Sequence, residues 1–222
     1  MGLHVRLLIF LSVFSLCTPL TAMAIEEPKY ELLEKSDDFE LRQYQPMIIA
    51  EVLVEGDMDQ ASSKGFRLIA DYIFGNNVTR TGGSGKIDMT ASVTVEPKSE
   101  KILMTTPVTV EQASGQWQVH FVMPSKYTLD TLPIPNNPQV VLREVPARKV
   151  AVVRFSGIAN QAKIVERTQE LLAWMSGKHL ILTSTPELAR YNPPWTSPFL
   201  RRNEIMVEYQ TVSIQQMTSL EV

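Results

Sequence analysis

A chain of 222 residues that is 44% hydrophobic and 20% charged, with 14 Pro, 10 Gly and a single Cys, has ordinary globular composition. That excludes a disordered tail, a collagen-like repeat and a disulfide-stapled miniprotein. Lys+Arg 21 against Asp+Glu 24 gives a formal net charge of -3, so no chain-wide positive field exists to displace counterions from a nucleic acid.

At the N-terminus, His4 and Arg6 precede an apolar run from Leu7 to Leu16, and Ala22-Met23-Ala24 follows before the first acidic residues, Glu26 and Glu27. This is the order of a secretory signal. The run is about half as long as a bilayer-spanning helix needs. Leu16 stands before Cys17, where a lipid-attachment site needs a small residue. The pattern predicts a signal peptide over 1–24, cleavage after Ala24, and a mature domain of 25–222 exported to the periplasm, or secreted if the host lacks an outer membrane, without stable membrane insertion. The only cysteine leaves with the leader, so the mature chain has neither disulfides nor thiol chemistry.

Residues 41–56 and 142–157 superimpose at a constant offset of 101. Leu41-Arg42 matches Leu142-Arg143, and Ala50, Val52, Val54 and Gly56 match Ala151, Val153, Phe155 and Gly157. Both runs alternate as half-buried strands do and end at a Gly that turns the chain. A helix is predicted after each. The first runs from about Asp59 to Phe74, with Asp57 or Asp59 as N-cap and Gly75 as stop; the second is capped by Asn160 and ends near Gly177. Between them, Lys86 to Glu96 reappears fifteen residues later as Lys101 to Glu111, each copy alternating, with Pro97 to Glu100 as a hairpin turn. Strands follow over 117–123 and 204–209, with a Pro-bearing loop over 125–138. Two units, about 28–112 and 115–210, each with one apolar sheet face, bury it best by packing or joining sheets in one domain with pseudo-twofold symmetry.

The motifs of common chemistry are absent from this sequence. Gly82-Gly83-Ser84-Gly85-Lys86 is followed by Ile87 and enters a strand, whereas a phosphate loop needs Ser or Thr there and a helix. Only His120 and His179 survive maturation, and no Gly-x-Ser-x-Gly elbow exists. Asp37-Asp38 reads as a solvated turn. No residue set requires an enzyme.

The stretch from Ala189 to Glu204 holds three prolines, three arginines, Tyr191, Trp195 and Phe199. Proline stiffens it, and aromatic surface beside guanidinium groups suits a flat apolar ligand bearing carboxylates. The same residues also read as aromatics folded onto the sheet, with arginines paired to acids such as Glu204.

Lys101-Ile102-x-Met104-Thr105-x-Pro107-Val108, Phe121-Val122-Met123-Pro124-Ser125-Lys126-Tyr127, and Arg190-Tyr191-Asn192-Pro193-Pro194-Trp195 with Arg201-Arg202-Asn203-Glu204 resemble the SOUL haem-binding protein family over about residues 28–210. The resemblance implies an α+β fold, a distorted β-barrel or paired antiparallel sheets with two helices. It also implies a pocket for haem or a related tetrapyrrole, bound non-covalently between the first helix and the loop before the last strand. Carried onto this sequence, that pocket takes Phe66, Arg67, Ile69, Ala70, Ile73 and Phe74 from the helix and Tyr191, Trp195, Phe199 and Arg201 from the loop. The broad apolar surface of the first helix fits one face for a core and one for a ligand, or a helix buried all round. No histidine lies in either segment, so no axial ligand is assigned, and His120 and His179 read as structural. The function expected is an exported, non-enzymatic carrier or buffer of tetrapyrrole. The alternative is an interaction module of the cell envelope on the same fold.

Overall fold

The computed structural model describes residues 25–97, 116–193 and 195–211. The leader over 1–24 and the second copy of the short repeat, over 101–111, lie outside the described residues. The chain begins with a hairpin, β1 (Tyr30–Ser36) and β2 (Phe39–Tyr44), closed by the predicted Asp37-Asp38 turn, where Asp37 takes a φ of 52°. β3 (Met47–Glu55) leads into α1 (Met58–Ile73), β4 (Asn77–Val78), β5 (Val93–Pro97) and β6 (Gln116–Val122). β7 (Ile134–Pro135), β8 (Val141–Val145), β9 (Arg148–Phe155) and α2 (Gln161–Gly177) follow. The described chain ends with β10 (Leu180–Leu182), β11 (Glu187–Arg190), a 3-10 turn over Pro198–Leu200 and β12 (Asn203–Thr211).

Ten strands form one antiparallel sheet, in the order β1-β2-β9-β12-β11-β5-β6-β3-β8 with β10 beside β12, and β4 pairs with β7 separately. The sheet curls into a half-barrel, the α+β distorted barrel expected. One cross-strand row explains where the helices go. Phe39, Val153, Ile205, Leu188, Val95, Val119 and Val52 are successive partners from β2 to β3, all apolar and all on one face. α1 covers the β3/β5/β6 end of that face and α2 the β9/β12 end. Both helices start where the sequence places them. The Asp57 side chain accepts from the Gln60 N–H at 2.8 Å and Asn160 from the Lys163 N–H at 2.9 Å. No helix among the described residues is long and apolar enough to cross a membrane.

Four expectations are corrected. Residues 41–56 and 142–157 do not each form one strand. Each breaks at a proline, Pro46 and Pro146, which has no N–H to continue a ladder. The strand expected over 86–96 forms only from Val93 onward. Its alternation is real, with Ile87 and Ala91 buried, but the backbone bonds elsewhere: the Ile87 N–H to the Ile73 carbonyl and the Ala91 N–H to the Glu26 carbonyl. The 125–138 loop contains β7, and Arg190 and Asn203 of the predicted 189–204 loop lie in β11 and β12.

Candidate functional site

α1 points Ile69 and Ile73 into the core on the sheet, and Ala70 is buried beside them. These three pack the helix down. What α1 leaves outward is Phe66, Arg67 and Phe74, all exposed. The Phe66 ring sits 5.4 Å from that of Phe121 and tilted to it, so its inner edge is held while its outer edge meets solvent.

The second segment divides in the same way. Tyr191 is drawn inward: its hydroxyl donates to Glu204 at 2.9 Å, and the Arg202 guanidinium lies 3.8 Å from its ring centre. Burial and then the nearby Glu204 charge push the phenol well above its ordinary range. Trp195 and Phe199 stay outside, 84% and 74% exposed. They are not on a slack loop. The Thr196 N–H donates to the Pro193 carbonyl at 3.0 Å, the Leu200 N–H to Ser197 at 2.9 Å and the Gly157 N–H to Pro198 at 2.9 Å. Arg201 donates from Nε to the Thr196 carbonyl at 2.8 Å. Arg190 ties this segment to α1, donating to Ser62 and Asp59, both at 3.0 Å.

The sheet face opposite the helices carries what the sequence reading missed. Arg42 is fully buried and donates to Glu40, to the Tyr44 hydroxyl and to both oxygens of Glu204, at 2.8 to 3.0 Å. Burial pushes the Glu204 carboxyl up, but Arg42 and Arg202 outweigh it and hold it below the ordinary 4.5. Further along, Arg148 bonds Glu187 at 2.9 Å and Glu208 at 2.7 Å. Glu96 is half-buried, and desolvation, then the Glu187 charge, pushes it up to about 8. The alternation of Glu40, Arg42 and Tyr44 is a readable polar stripe, but its partner at Glu204 lies 162 residues from Arg42.

His120 belongs to this opposite face. Its neighbours Val119 and Phe121 point into the core under α1, and burial lowers its pKa to about 4. Among the described residues its Nδ1 has no hydrogen-bond partner. β6 therefore separates the imidazole from anything bound on the outer side of α1. Exposed aromatic surface and the Arg67 cation fit the flat body and carboxylates of a porphyrin there.

Residues 25–208 match the family model described as SOUL heme-binding protein. No curated protein matches the chain in sequence. Among solved structures, the EcmrR C-terminal domain is similar with a TM-score of 0.55 at 13% identity, over 82% of this chain and 99% of that one. A hydrolase from Listeria innocua is similar with a TM-score of 0.53 at 12% identity, over 80% of this chain and 94% of that one. At such identity the likeness concerns the fold alone. The family model spans most of the sequence, and the chain belongs to the SOUL heme-binding protein family.

Proposed function

We propose that the protein is an exported, non-enzymatic carrier or buffer of haem or a related tetrapyrrole, which it holds non-covalently against the outer side of α1 and the 191–201 segment. Family membership supports tetrapyrrole binding, and one observation supports the place: Trp195 and Phe199 are held in solvent by a hydrogen-bonded loop. Aromatic side chains bury about 150–250 Å² each, at about 25 cal/mol per Å², so covering these two contributes several kcal/mol to binding. Phe66 and Phe74 extend the apolar surface, Arg67 and Arg201 face the propionates, and Ile69, Ala70, Ile73 and Tyr191 hold the two walls from behind. The bound haem would supply iron chemistry; the chain supplies apolar cover and cations. Because apolar burial is non-directional, iron-free porphyrin binds comparably.

The same reading makes the two stretches offset by 101 residues copies of one unit. Equating β2 with β8, β3 with β9, β6 with β12 and β5 with β11 turns the strand order β2-β9-β12-β11-β5-β6-β3-β8 into a palindrome, which supports it.

The test is a visible-absorption titration of the purified protein with haemin and, in parallel, protoporphyrin. The expected result is a saturable Soret shift with both ligands, weakened about tenfold by Trp195→Ala and by Arg201→Ala with unfolding midpoints unchanged. Absence of saturable binding to either ligand overturns the assignment and leaves the aromatic surface to a protein partner.

A further inference from the structure

A cleft of about 740 Å³ opens where β3 begins and β6 and β8 end, and none of its described lining residues belongs to α1 or to 191–201. Ile48 and Met123 on the α1 side of the sheet, and Met47, Val122 and Val145 on the other, give it an apolar lining, and Pro28, Pro46, Pro124 and Pro146 stand in its walls. Proline fixes φ, so four wall positions are set before any ligand arrives. The volume lies within the range of about 300–1,000 Å³ usual for small-molecule pockets.

One wall is the chain over 26–29, which is tied at Glu26, Glu27 and Lys29. The Ala91 N–H donates to the Glu26 carbonyl at 2.7 Å, the Ser125 N–H to the Glu26 carboxylate at 3.0 Å and the Gln45 N–H to the Lys29 carbonyl at 3.1 Å. Arg202 holds the Glu27 carboxylate at 2.9 Å. These ties hold a segment without regular secondary structure as part of the cleft wall.

The charges around it are unbalanced. Glu26, Glu27 and Glu144 line the cleft with Lys29 as the one cation among its described residues. Glu27 is neutralised by Arg202, whereas Glu144 is exposed and has no ion-pair partner among the described residues. Hydrogen bonding from Ser125, against a smaller burial effect and with help from the Lys29 and Lys126 cations, holds the Glu26 carboxyl below 4.5, so Glu144 is the acid left without a nearby positive partner among the described residues. Glu144 repels a carboxylate ligand and attracts a cation, an effect that weakens with added salt because the side chain is exposed.

We propose that this cleft binds a small amphiphilic cation of the alkylammonium class, its head beside Glu144 and its apolar body over Ile48 and Met123, which share that face of the sheet. The site shares no residue with the tetrapyrrole surface, so the proposal does not rest on that reading.

The test is isothermal titration of the purified protein with decyltrimethylammonium, decanol and decanoate, with the methionine methyl groups followed by NMR. The expected result is saturable binding of the cation, about tenfold tighter than decanoate, with the Met123 methyl shifting and the Met206 methyl unmoved. Glu144→Gln, at an exposed position, removes most of that preference while decanol affinity stays. Saturating cation leaves the haemin titration unchanged, so failure here and failure of the tetrapyrrole reading are separate results. Absence of saturation, equal or tighter decanoate binding, or shifts confined to other methyl groups overturns the proposal.

Discussion

Arg42 and Arg143 both make ion pairs within the sheet, but they differ in worth. Arg42 has no exposed surface and Glu204 none either, whereas Arg143 is 48% exposed beside Glu51. Removing one partner of a buried pair leaves an uncompensated charge, so Arg42→Ala costs about 3–5 kcal/mol. Arg143→Ala costs less than about 1 kcal/mol. Urea unfolding of the two variants measures the contrast. The same face sets an opposing pair of pH effects. Glu96 is near 8 folded against an ordinary 4.5, so the folded state binds the extra proton and stability falls as pH rises from 4.5 to 8. His120 is near 4 folded against 6.5, so the unfolded state binds more protons and stability rises over pH 4 to 6.5. Their sum falls between pH 6.5 and 8, and Glu96→Gln removes that fall. Unfolding midpoints at pH 6.5 and pH 8.5, with and without the substitution, check it.

Among the elements, the helices were legible because their signals are local. Asp57, Asn160 and Gly75 mark ends by capping chemistry that depends only on adjacent residues. The 86–92 stretch was misread because alternation reports burial, not pairing. Asn77 anchors the residue just before it, donating to the Gly85 carbonyl at 2.7 Å and accepting from the Gly85 N–H at 3.0 Å. The candidate site was legible only as residue types: the aromatics of 189–204 were visible, but that Tyr191 turns in and Trp195 out depends on Glu204 and Arg202 across the loop. Gly65 carried no readable signal at all. A Cβ there would lie 2.6 Å from Val119, so α1 sits on β6 at a distance only glycine allows. Gly65→Ala gains helix propensity yet loses about 1–3 kcal/mol through overpacking, which thermal unfolding of the single variant measures.

For the molecule as a whole, the deciding contacts are long-range. β2 pairs with β9 along its length, β8 pairs with β3, and β11 meets β5 through three register positions, Leu188 to Val95, Ala189 to Thr94 and Arg190 to Val93. Neither part of the chain completes its sheet alone. Fragments 25–140 and 141–222 are therefore expected to lack fixed tertiary packing separately and to regain it on mixing, read by near-ultraviolet circular dichroism. Such pairings close large loops before they are rewarded, so refolding is slow compared with a helical bundle of this size.

That reciprocal loan of strands has a consequence for crowded chains. The links that carry β2 and β8 across, Gln45-Pro46 and Pro146-Ala147, are two residues each, and every contact they deliver can be met as well by a neighbouring molecule as by the same one. Chains refolded together at high concentration can exchange these strands and close into domain-swapped dimers with the monomer's own interfaces. Dilution alone would not undo them, because separating such a pair requires unfolding it.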